Sequence, residues 1–157
     1  MRLNLKKVQM RRINQYKKLF QVEKPIDLKE LKSTYRSLVK EWHPDKFQDL
    51  DKKALAEQES VKIIDGYHFL VSIAPQTREN NLEEYTATIM ESRVIDYQHK
   101  SMLLEVSFAD GNTYEYFGVN RKLFLKFLNA KSINNFGKRH IFKSFLYRKS
   151  KRTAVTA

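Results

Sequence analysis

The feature of this sequence that most constrains its fold is a change in the period of its apolar residues. Up to about residue 73 the apolar residues recur every three or four positions, which predicts amphipathic helices. From residue 93 to residue 117 they alternate with polar residues, which predicts strands. With 157 residues, the chain is long enough for two modest cores. We therefore predict a multi-domain protein, in which an all-α domain is followed by a small α+β domain.

The best-defined predicted helix covers residues 25–42. Asp27 is a suitable N-cap, and Glu30 occupies the capping-box position three residues later. One apolar stripe, spaced alternately by three and four residues, consists of Leu28, Leu31, Tyr35, Leu38 and Trp42. A basic stripe one step around the helix consists of Lys29, Lys32, Arg36 and Lys40. Because Pro44 disfavours helical geometry at the residue before it, the helix should end at Trp42 or His43.

Two further helices are predicted around this one. A short helix is predicted within residues 13–22, and a longer helix is predicted to start at a cap provided by Asp49 or Asp51. Two long helices that each have one apolar face and are joined by a short loop should pack as an antiparallel hairpin. His43, Pro44 and Asp45 would then lie at its exposed tip.

The histidine and the aspartate at this tip could in principle carry chemistry. As a catalytic dyad they lack a nearby Ser or Cys, and a hairpin tip is a poor place to exclude water. As a metal site they lack partners, because the histidines at 43, 68, 99 and 140 show no ligand spacing and the chain has no cysteine. We therefore expect recognition by another protein, without a cofactor or a metal.

Residues that resemble a known family occur along the whole first half of the chain. They are Tyr16 with Leu19, Tyr35 with Leu38, His43-Pro44-Asp45 with Lys46, and Ile63 with Tyr67 and Leu70. In combination, over residues 13–78, they resemble the J-domain of the DnaJ family. The resemblance implies a co-chaperone that binds a DnaK-family chaperone ATPase and stimulates its ATP hydrolysis. The chain itself would then be the activator of a partner ATPase rather than an enzyme.

The resemblance also implies which residues contact the chaperone. The stimulating motif would be His43, Pro44 and Asp45. The docking contacts would be Lys32, Arg36 and Lys46, with Tyr35 at their edge. The chain departs from the family where Glu41 replaces a common lysine, and where Ser60 replaces a buried aromatic residue. We expect Val61 to take over the packing of that aromatic residue.

The second half is predicted to contain a linker, a sheet and two helices. Residues 79–91 are predicted to be a linker, or to add a strand at 85–89. Three strands are predicted at 93–97, 102–108 and 113–117, and residues 109–112 give a strong hairpin signal between the last two. Helices are predicted within 120–130, capped by Asn120, and within 138–149. The result is a three-stranded antiparallel sheet with helices.

This half resembles the KTSC domain over residues 92–148, with 149–157 as a basic tail. The residues that carry the resemblance are Ile95 and Tyr97, Leu104, Val106 and Phe108, Gly111, Tyr114 and Tyr116, Ala130 and Ser132, and the segment 141–147. The resemblance suggests RNA binding. Candidate contacts for a nucleic acid are Tyr114, Tyr116, Lys138, Arg139, Lys143, Arg148 and Lys149.

The hairpin register decides whether Tyr114 and Tyr116 could serve in this way. A two-residue turn at Asp110 and Gly111 would place both rings on the polar face of the sheet, where they could stack on bases. A three-residue loop with a glycine bulge would place both in the core, opposite Val106 and Leu104. We favour the core, because strand aromatics opposite apolar residues usually pack.

Charge indicates an anionic partner. The net charge is +12, and residues 118–157 carry eleven Lys or Arg and no acid, whereas residues 81–117 carry two basic and seven acidic residues. The first residues lack an apolar core of signal-peptide length, so we expect a cytoplasmic protein that does not associate with a membrane. The predicted function is a J-domain co-chaperone whose second domain binds a target, an unidentified client protein. The alternative is an RNA-binding protein that acts through the basic KTSC-like domain.

Overall fold

The computed structural model describes residues 12–150 of the chain. These residues form two compact units, of which the first is Ile13–Thr77 and the second begins at Arg78. A helical region is thus followed by a small antiparallel sheet with its own helices. The sheet has four strands, so the prediction of three strands is wrong.

The first unit consists of three α-helices and one short turn of 3₁₀ helix. They are α1 (residues 12–19), α2 (Leu28–Trp42), the 3₁₀ turn Pro44–Lys46, and α3 (Leu50–Ile73). Apolar side chains from all three α-helices and the turn after α1 form its core, and its large buried members include Ile13, Phe20, Leu31, Ile63, Phe69 and Leu70. The helix predicted at 25–42 is therefore present and ends at Trp42, as Pro44 predicts.

Contacts along α2 and α3 show that the two helices run antiparallel. The ring of Tyr35 stacks on that of Tyr67, with ring centroids 4.1 Å apart. Further along α2, the Ser60 hydroxyl donates a hydrogen bond of 2.9 Å to the carbonyl oxygen of Trp42. Later residues of α2 thus contact earlier residues of α3, which confirms the predicted hairpin.

Helices α2 and α3 begin at predicted capping residues, but the predicted packing of Val61 is not observed. The Asp27 carboxylate accepts a hydrogen bond of 2.8 Å from the backbone N–H of Lys29, and Asp49 caps α3. Val61 is 57% exposed, so the expectation that it replaces a buried aromatic is wrong. Ser60 has another role at this position. Its hydroxyl donates a hydrogen bond to the carbonyl oxygen of Trp42, which lies in the last turn of α2, where carbonyl groups have no partner within the helix.

The second unit contains helices α5, α6 and α7 and strands β1 to β4, and the boundary between the units falls within α4 (Pro75–Asn80). The helices are α5 (Leu82–Glu91), α6 (Arg121–Leu128) and α7 (Ile133–His140). The strands are β1 (Val94–Lys100), β2 (Leu103–Phe108), β3 (Thr113–Phe117) and β4 (Leu146–Lys149). The strand order is β1-β2-β3-β4, and every neighbouring pair is antiparallel.

The linker predicted at 79–91 is wrong, because most of these residues belong to helices. Tyr85, Thr88 and Ile89 on α5 are buried, and Tyr85 and Ile89 are part of the core of the second unit. Their spacing of three and one residues is helical, but the polar Thr88 within the stripe interrupts the apolar pattern. The alternative of a strand at 85–89 is also wrong, because these residues lie within α5.

The helix predicted at 138–149 is also wrong. Helix α7 ends at His140, and β4 pairs with β3, placing Lys149 opposite Tyr114. A sharp reversal between them brings the ring of Phe142 onto α7, where a Cβ atom at Gly137 would lie 2.3 Å from it. Only glycine permits this approach. Lys149 therefore belongs to a strand rather than to a tail, and residues 151–157 lie outside the described part.

The core of the second unit lies between the sheet and its three helices. Val106 pairs with Tyr114, and Leu104 pairs with Tyr116. Gly111 has φ +95°, and the N–H of Phe108 donates a hydrogen bond of 2.9 Å to the carbonyl oxygen of Asn112. This geometry confirms the favoured alternative, the three-residue loop with a glycine bulge.

Candidate functional site

The candidate site of the first unit is the turn between α2 and α3. His43 has an extended backbone (φ −63°, ψ 126°), as a residue before proline should. Pro44 then starts the 3₁₀ turn, in which the N–H of Lys46 donates a hydrogen bond of 3.0 Å to the carbonyl oxygen of His43. The sequence thus produces a tight turn that separates the side chains of His43 and Asp45 from both helices.

Within the turn, the side chains of His43 and Asp45 are both exposed to solvent. Nδ1 of His43 accepts a hydrogen bond of 3.2 Å from the backbone N–H of Asp45, which leaves Nε2 for a partner. The Asp45 carboxylate lies 3.6 Å from the same Nδ1. The two side chains are 51% and 83% exposed. Such exposure does not exclude water, as acid–base chemistry at a dyad would require.

The base of the turn is held from two directions. The hydrogen bond from Ser60 to the carbonyl oxygen of Trp42 ties the end of α2 to α3. On the other side of the motif, the ring of Phe47 packs on the indole of Trp42, with centroids 6.5 Å apart. The residues on each side of the motif are therefore anchored, so the turn itself has few ways to rearrange.

The basic face of α2 lies exposed beside the turn. Its members are Lys29, Lys32, Arg36 and Lys40, all of which are exposed. Lys46 in the turn is exposed as well, and so is Glu41 at the end of α2. Within the described residues, none of these side chains makes an ion pair. Their charges are thus available to a partner.

Tyr35, predicted at the edge of the docking contacts, has a structural role as well. Its ring stacks on Tyr67 between α2 and α3, and its side chain is half-buried. Only the part of the ring that remains exposed could contact a chaperone. Replacing Tyr35 would therefore disturb the hairpin as well as any docking surface.

The predicted aromatic platform in the second unit is absent from the surface. Tyr114 is 1% exposed and Tyr116 is fully buried. Neither ring has a face on which a base could stack, so their place among the candidate nucleic-acid contacts is wrong. Their register opposite Val106 and Leu104 is the physical reason.

These two tyrosines belong instead to a group with the buried Tyr85 and the partly buried Tyr147. The hydroxyl of Tyr116 donates to that of Tyr85 at 3.0 Å, because the proton of Tyr85 is used in a hydrogen bond of 2.5 Å to the carbonyl oxygen of Phe142. Burial raises the pKa of all four hydroxyls, that of Tyr114 to about 12. The group remains neutral at ordinary pH and stabilises the core.

Three of the five basic residues predicted to contact a nucleic acid are engaged within the second unit. Lys138 donates a hydrogen bond of 3.1 Å to the carbonyl oxygen of Met90. Arg148 binds Glu115 and Lys149 binds Glu84, in ion pairs of 2.6 Å each. The other two residues are exposed and make no ion pair within the described part of the chain; these are Arg139 and Lys143.

The sequence prediction missed four other exposed cations in the same C-terminal part of the chain. These are Arg121, Lys122, Lys126 and Lys131. The signal that could have identified them was present, since no Asp or Glu occurs between residues 118 and 150. Three of them, Arg121, Lys122 and Lys126, lie on α6.

Two general features of residues 12–150 bear on the function. No group of three or more His, Cys, Asp or Glu in this range could hold a metal ion. None of the helices in this range is long and apolar enough to cross a membrane.

Comparison with known protein families gives one match, which lies within the second unit. A comparison with curated proteins gave no match to the chain. The comparison with family models gave no J-domain match for the helical first unit. Residues 91–145, which extend from the end of α5 to the start of β4, match the KTSC domain family.

Proposed function

We propose that the protein is a J-domain co-chaperone, which binds a DnaK-family chaperone through its first unit and stimulates ATP hydrolysis by that chaperone. One observation carries this proposal. The His43-Pro44-Asp45 turn is exposed at the tip of an antiparallel hairpin, directly beside a helix face that carries four exposed cations. The J-domain resemblance in the sequence assigns a function to this arrangement.

The basic face of α2 suits the first step of such an interaction. Its cations recur along one side of the helix, so they present a row of positive charge to a partner. A row of this kind accelerates association with an acidic surface and orients the partner. Because these side chains make no ion pair within the described residues, no internal contact must be broken before they bind.

The turn suits the second step. Its extended histidine, its proline and the anchors at Trp42 and Phe47 restrict it before binding. A restricted turn loses little conformational entropy on binding. The stimulation would then depend on Nε2 of His43 and on the carboxylate of Asp45. Glu41 places a negative charge beside the motif, which would disfavour partners that are acidic at that point.

The second unit would bind the target of the co-chaperone, an unidentified client protein. It has a core of its own, built on a four-stranded sheet that the helical first unit lacks. In this division of roles the bond-breaking chemistry belongs to the chaperone, and this chain acts in the cytoplasm as its activator.

The first prediction concerns the single-turnover rate of ATP hydrolysis by the DnaK-family chaperone of the same organism. We expect the full chain to raise this rate, and His43→Gln to reduce the stimulation by about tenfold or more, which corresponds to about 1.4 kcal/mol. A glutamine amide has an acceptor and a donor, but both are carried on one carbon at the end of a flexible side chain, so they cannot occupy the positions of Nδ1 and Nε2 in the imidazole ring at the same time.

His68→Gln is the matched control, because His68 is also exposed in the first unit but lies on α3. We expect this variant to stimulate like the wild type. Lys32→Glu with Arg36→Glu should raise the concentration needed for half-maximal stimulation. A wild-type chain that leaves the ATPase rate unchanged, or a His43→Gln variant as active as His68→Gln, would show that the first unit is not a working J-domain.

A further inference from the structure

The second unit has a strongly basic surface that no internal contact explains. It is formed by α6, α7 and the segments next to them, and its exposed cations are Arg121, Lys122, Lys126, Lys131, Arg139 and Lys143. No ion pair within residues 12–150 involves any of them. We refer to these six residues as the α6–α7 cations.

The α6–α7 cations belong to one region of the unit. Phe127 of α6 and Phe136 of α7 pack together with ring centroids 6.3 Å apart, so the two helices are neighbours. Two acids of the unit are engaged elsewhere, Glu115 by Arg148 and Glu84 by Lys149. Like charges this concentrated repel one another unless an anion binds among them.

An aromatic surface adjoins α6 on the side of β1. The side chain of Tyr97 is 36% exposed, and its ring packs against Phe124 with centroids 6.1 Å apart. The imidazole of His99 stacks on the same phenylalanine at 4.6 Å. Leu125, the next residue along α6, is 43% exposed. The exposed side chains of Tyr97 and Leu125 thus lie next to the cations.

We propose that this surface binds single-stranded nucleic acid, with phosphates on the α6–α7 cations and a base stacked at Tyr97. Proteins that bind single strands without sequence preference combine a basic groove with an aromatic stacking surface. A duplex would not use the exposed ring of Tyr97, because the faces of its bases are stacked inside the helix. An acidic protein would need only the cations and no surface for stacking. This proposal does not depend on the co-chaperone function.

The test measures fluorescence anisotropy of labelled oligouridine of about 12 nucleotides, a length within the range that one such domain covers. The full chain is titrated at a series of salt concentrations between about 50 and 200 mM. We expect the logarithm of the association constant to fall linearly with the logarithm of salt concentration, by about 0.7 per phosphate contact. Oligodeoxyuridine is the second probe, because it differs from oligouridine only in lacking the 2′-hydroxyl and so distinguishes RNA from DNA.

Two sets of substitutions separate the phosphate contacts from stacking. Arg121→Gln with Lys122→Gln and Lys126→Gln removes three charges, and should reduce the salt slope by about 2. Tyr97→Leu should weaken binding of the single strand about tenfold, leave the salt slope unchanged and leave duplex binding unchanged. Tyr97→Phe should bind like the wild type, because stacking needs the ring and not the hydroxyl.

The charge-matched control is Lys18→Gln with Lys24→Gln and Lys52→Gln, which removes three exposed cations from the first unit. If this control reduces the slope as much as the α6 variant does, the binding is not located on the α6–α7 surface. If polyglutamate competes as well as the oligonucleotide, the partner is an acidic protein. Duplex binding as tight as single-strand binding, Tyr97→Leu binding like Tyr97→Phe, or no binding at 50 mM salt would each overturn the proposal.

Discussion

The buried tyrosine hydroxyls of the second unit differ in one respect, which is whether they have a partner. Tyr116 and Tyr85 form a chain of hydrogen bonds that ends at the carbonyl oxygen of Phe142. The hydroxyl of Tyr114 is buried beside that of Thr88, but the two do not meet the geometry of a hydrogen bond. The neighbouring Thr88 hydroxyl donates instead to Asp110 at 2.6 Å. A buried hydroxyl without a partner loses its hydration and gains nothing in return.

We therefore predict opposite results for two tyrosine-to-phenylalanine changes. Tyr114→Phe should leave the free energy of unfolding unchanged or raise it by about 1 kcal/mol, since it removes a buried hydroxyl without a partner. Tyr85→Phe should lower it by about 1–3 kcal/mol, since it leaves the hydroxyl of Tyr116 and the carbonyl group of Phe142 unsatisfied. Urea denaturation followed by near-ultraviolet circular dichroism measures both. A larger loss for Tyr114→Phe than for Tyr85→Phe would contradict this assignment of partners.

The tyrosines also show why residue-level prediction reached its limit. The spacing of two residues correctly placed Tyr114 and Tyr116 on one face of a strand, since strand side chains alternate. Which face was buried depended on the pairing of β2 with β3, and a shift of one residue would have exchanged the two faces. Only the observed loop, with Gly111 in the left-handed region, selected the core.

At the scale of elements, the two hairpins of the sheet solve the same backbone problem differently. The β2–β3 loop places a glycine at φ +95°. The β1–β2 turn consists of Ser101 and Met102, which have φ of +49° and +64°. A two-residue turn of this handedness suits the twist of the strands but is unfavourable for residues with a Cβ atom. The β1–β2 turn therefore holds backbone strain.

Adding a glycine to the β1–β2 turn and removing the glycine of the β2–β3 loop should have opposite effects on the free energy of unfolding. Ser101→Gly should raise the free energy of unfolding by up to about 1 kcal/mol, because the relief of left-handed strain exceeds the added entropy of the unfolded chain. Gly111→Ala should lower it by about 1 kcal/mol through strain alone, since nothing lies within 4 Å of the added Cβ atom. Thermal or urea denaturation of the two variants measures the difference. Destabilisation by Ser101→Gly would show that the turn is not strained.

The elements that the sequence misassigned share a cause. The sequence of α5 resembles a linker, because Thr88 interrupts its apolar stripe. The segment 138–149 resembles one helix, although a chain reversal divides it between α7 and β4. Helices α2, α3 and α6 were predicted well, since a stripe, a cap and a stop signal all occur within the same short window. Strand β4 has no such local signal, and it exists because β3 offers a partner.

At the scale of the whole molecule, alkali should act on the second unit through its tyrosines. An unfolded tyrosine loses its proton near pH 10, whereas the folded Tyr114 keeps it up to a pKa of about 12. Above pH 10 the unfolded state thus binds fewer protons, and stability falls as pH rises. The loss for each buried tyrosine should approach about 1.4 kcal/mol per pH unit until the folded group ionises as well.

Two signals allow this loss to be measured for each unit. Trp42, the only tryptophan of the chain, lies in the first unit and reports its unfolding by fluorescence. Tyrosine circular dichroism includes the second unit, and we expect its urea midpoint to fall between pH 10 and 12. Tyr114→Phe removes one titrating group and should reduce the slope by one proton. A slope equal to that of the wild type would show that Tyr114 does not contribute.

The sequence by itself determined the order of the two folds, the helical hairpin and its exposed turn, because these depend on residues only a few positions apart. It also determined that positive charge is concentrated after residue 118. Only the tertiary structure decided that Tyr114 and Tyr116 are buried, that Arg148 and Lys149 are paired, and that Tyr97 is partly exposed. These outcomes depend on strand register and on contacts between residues far apart in the chain, which no local pattern encodes.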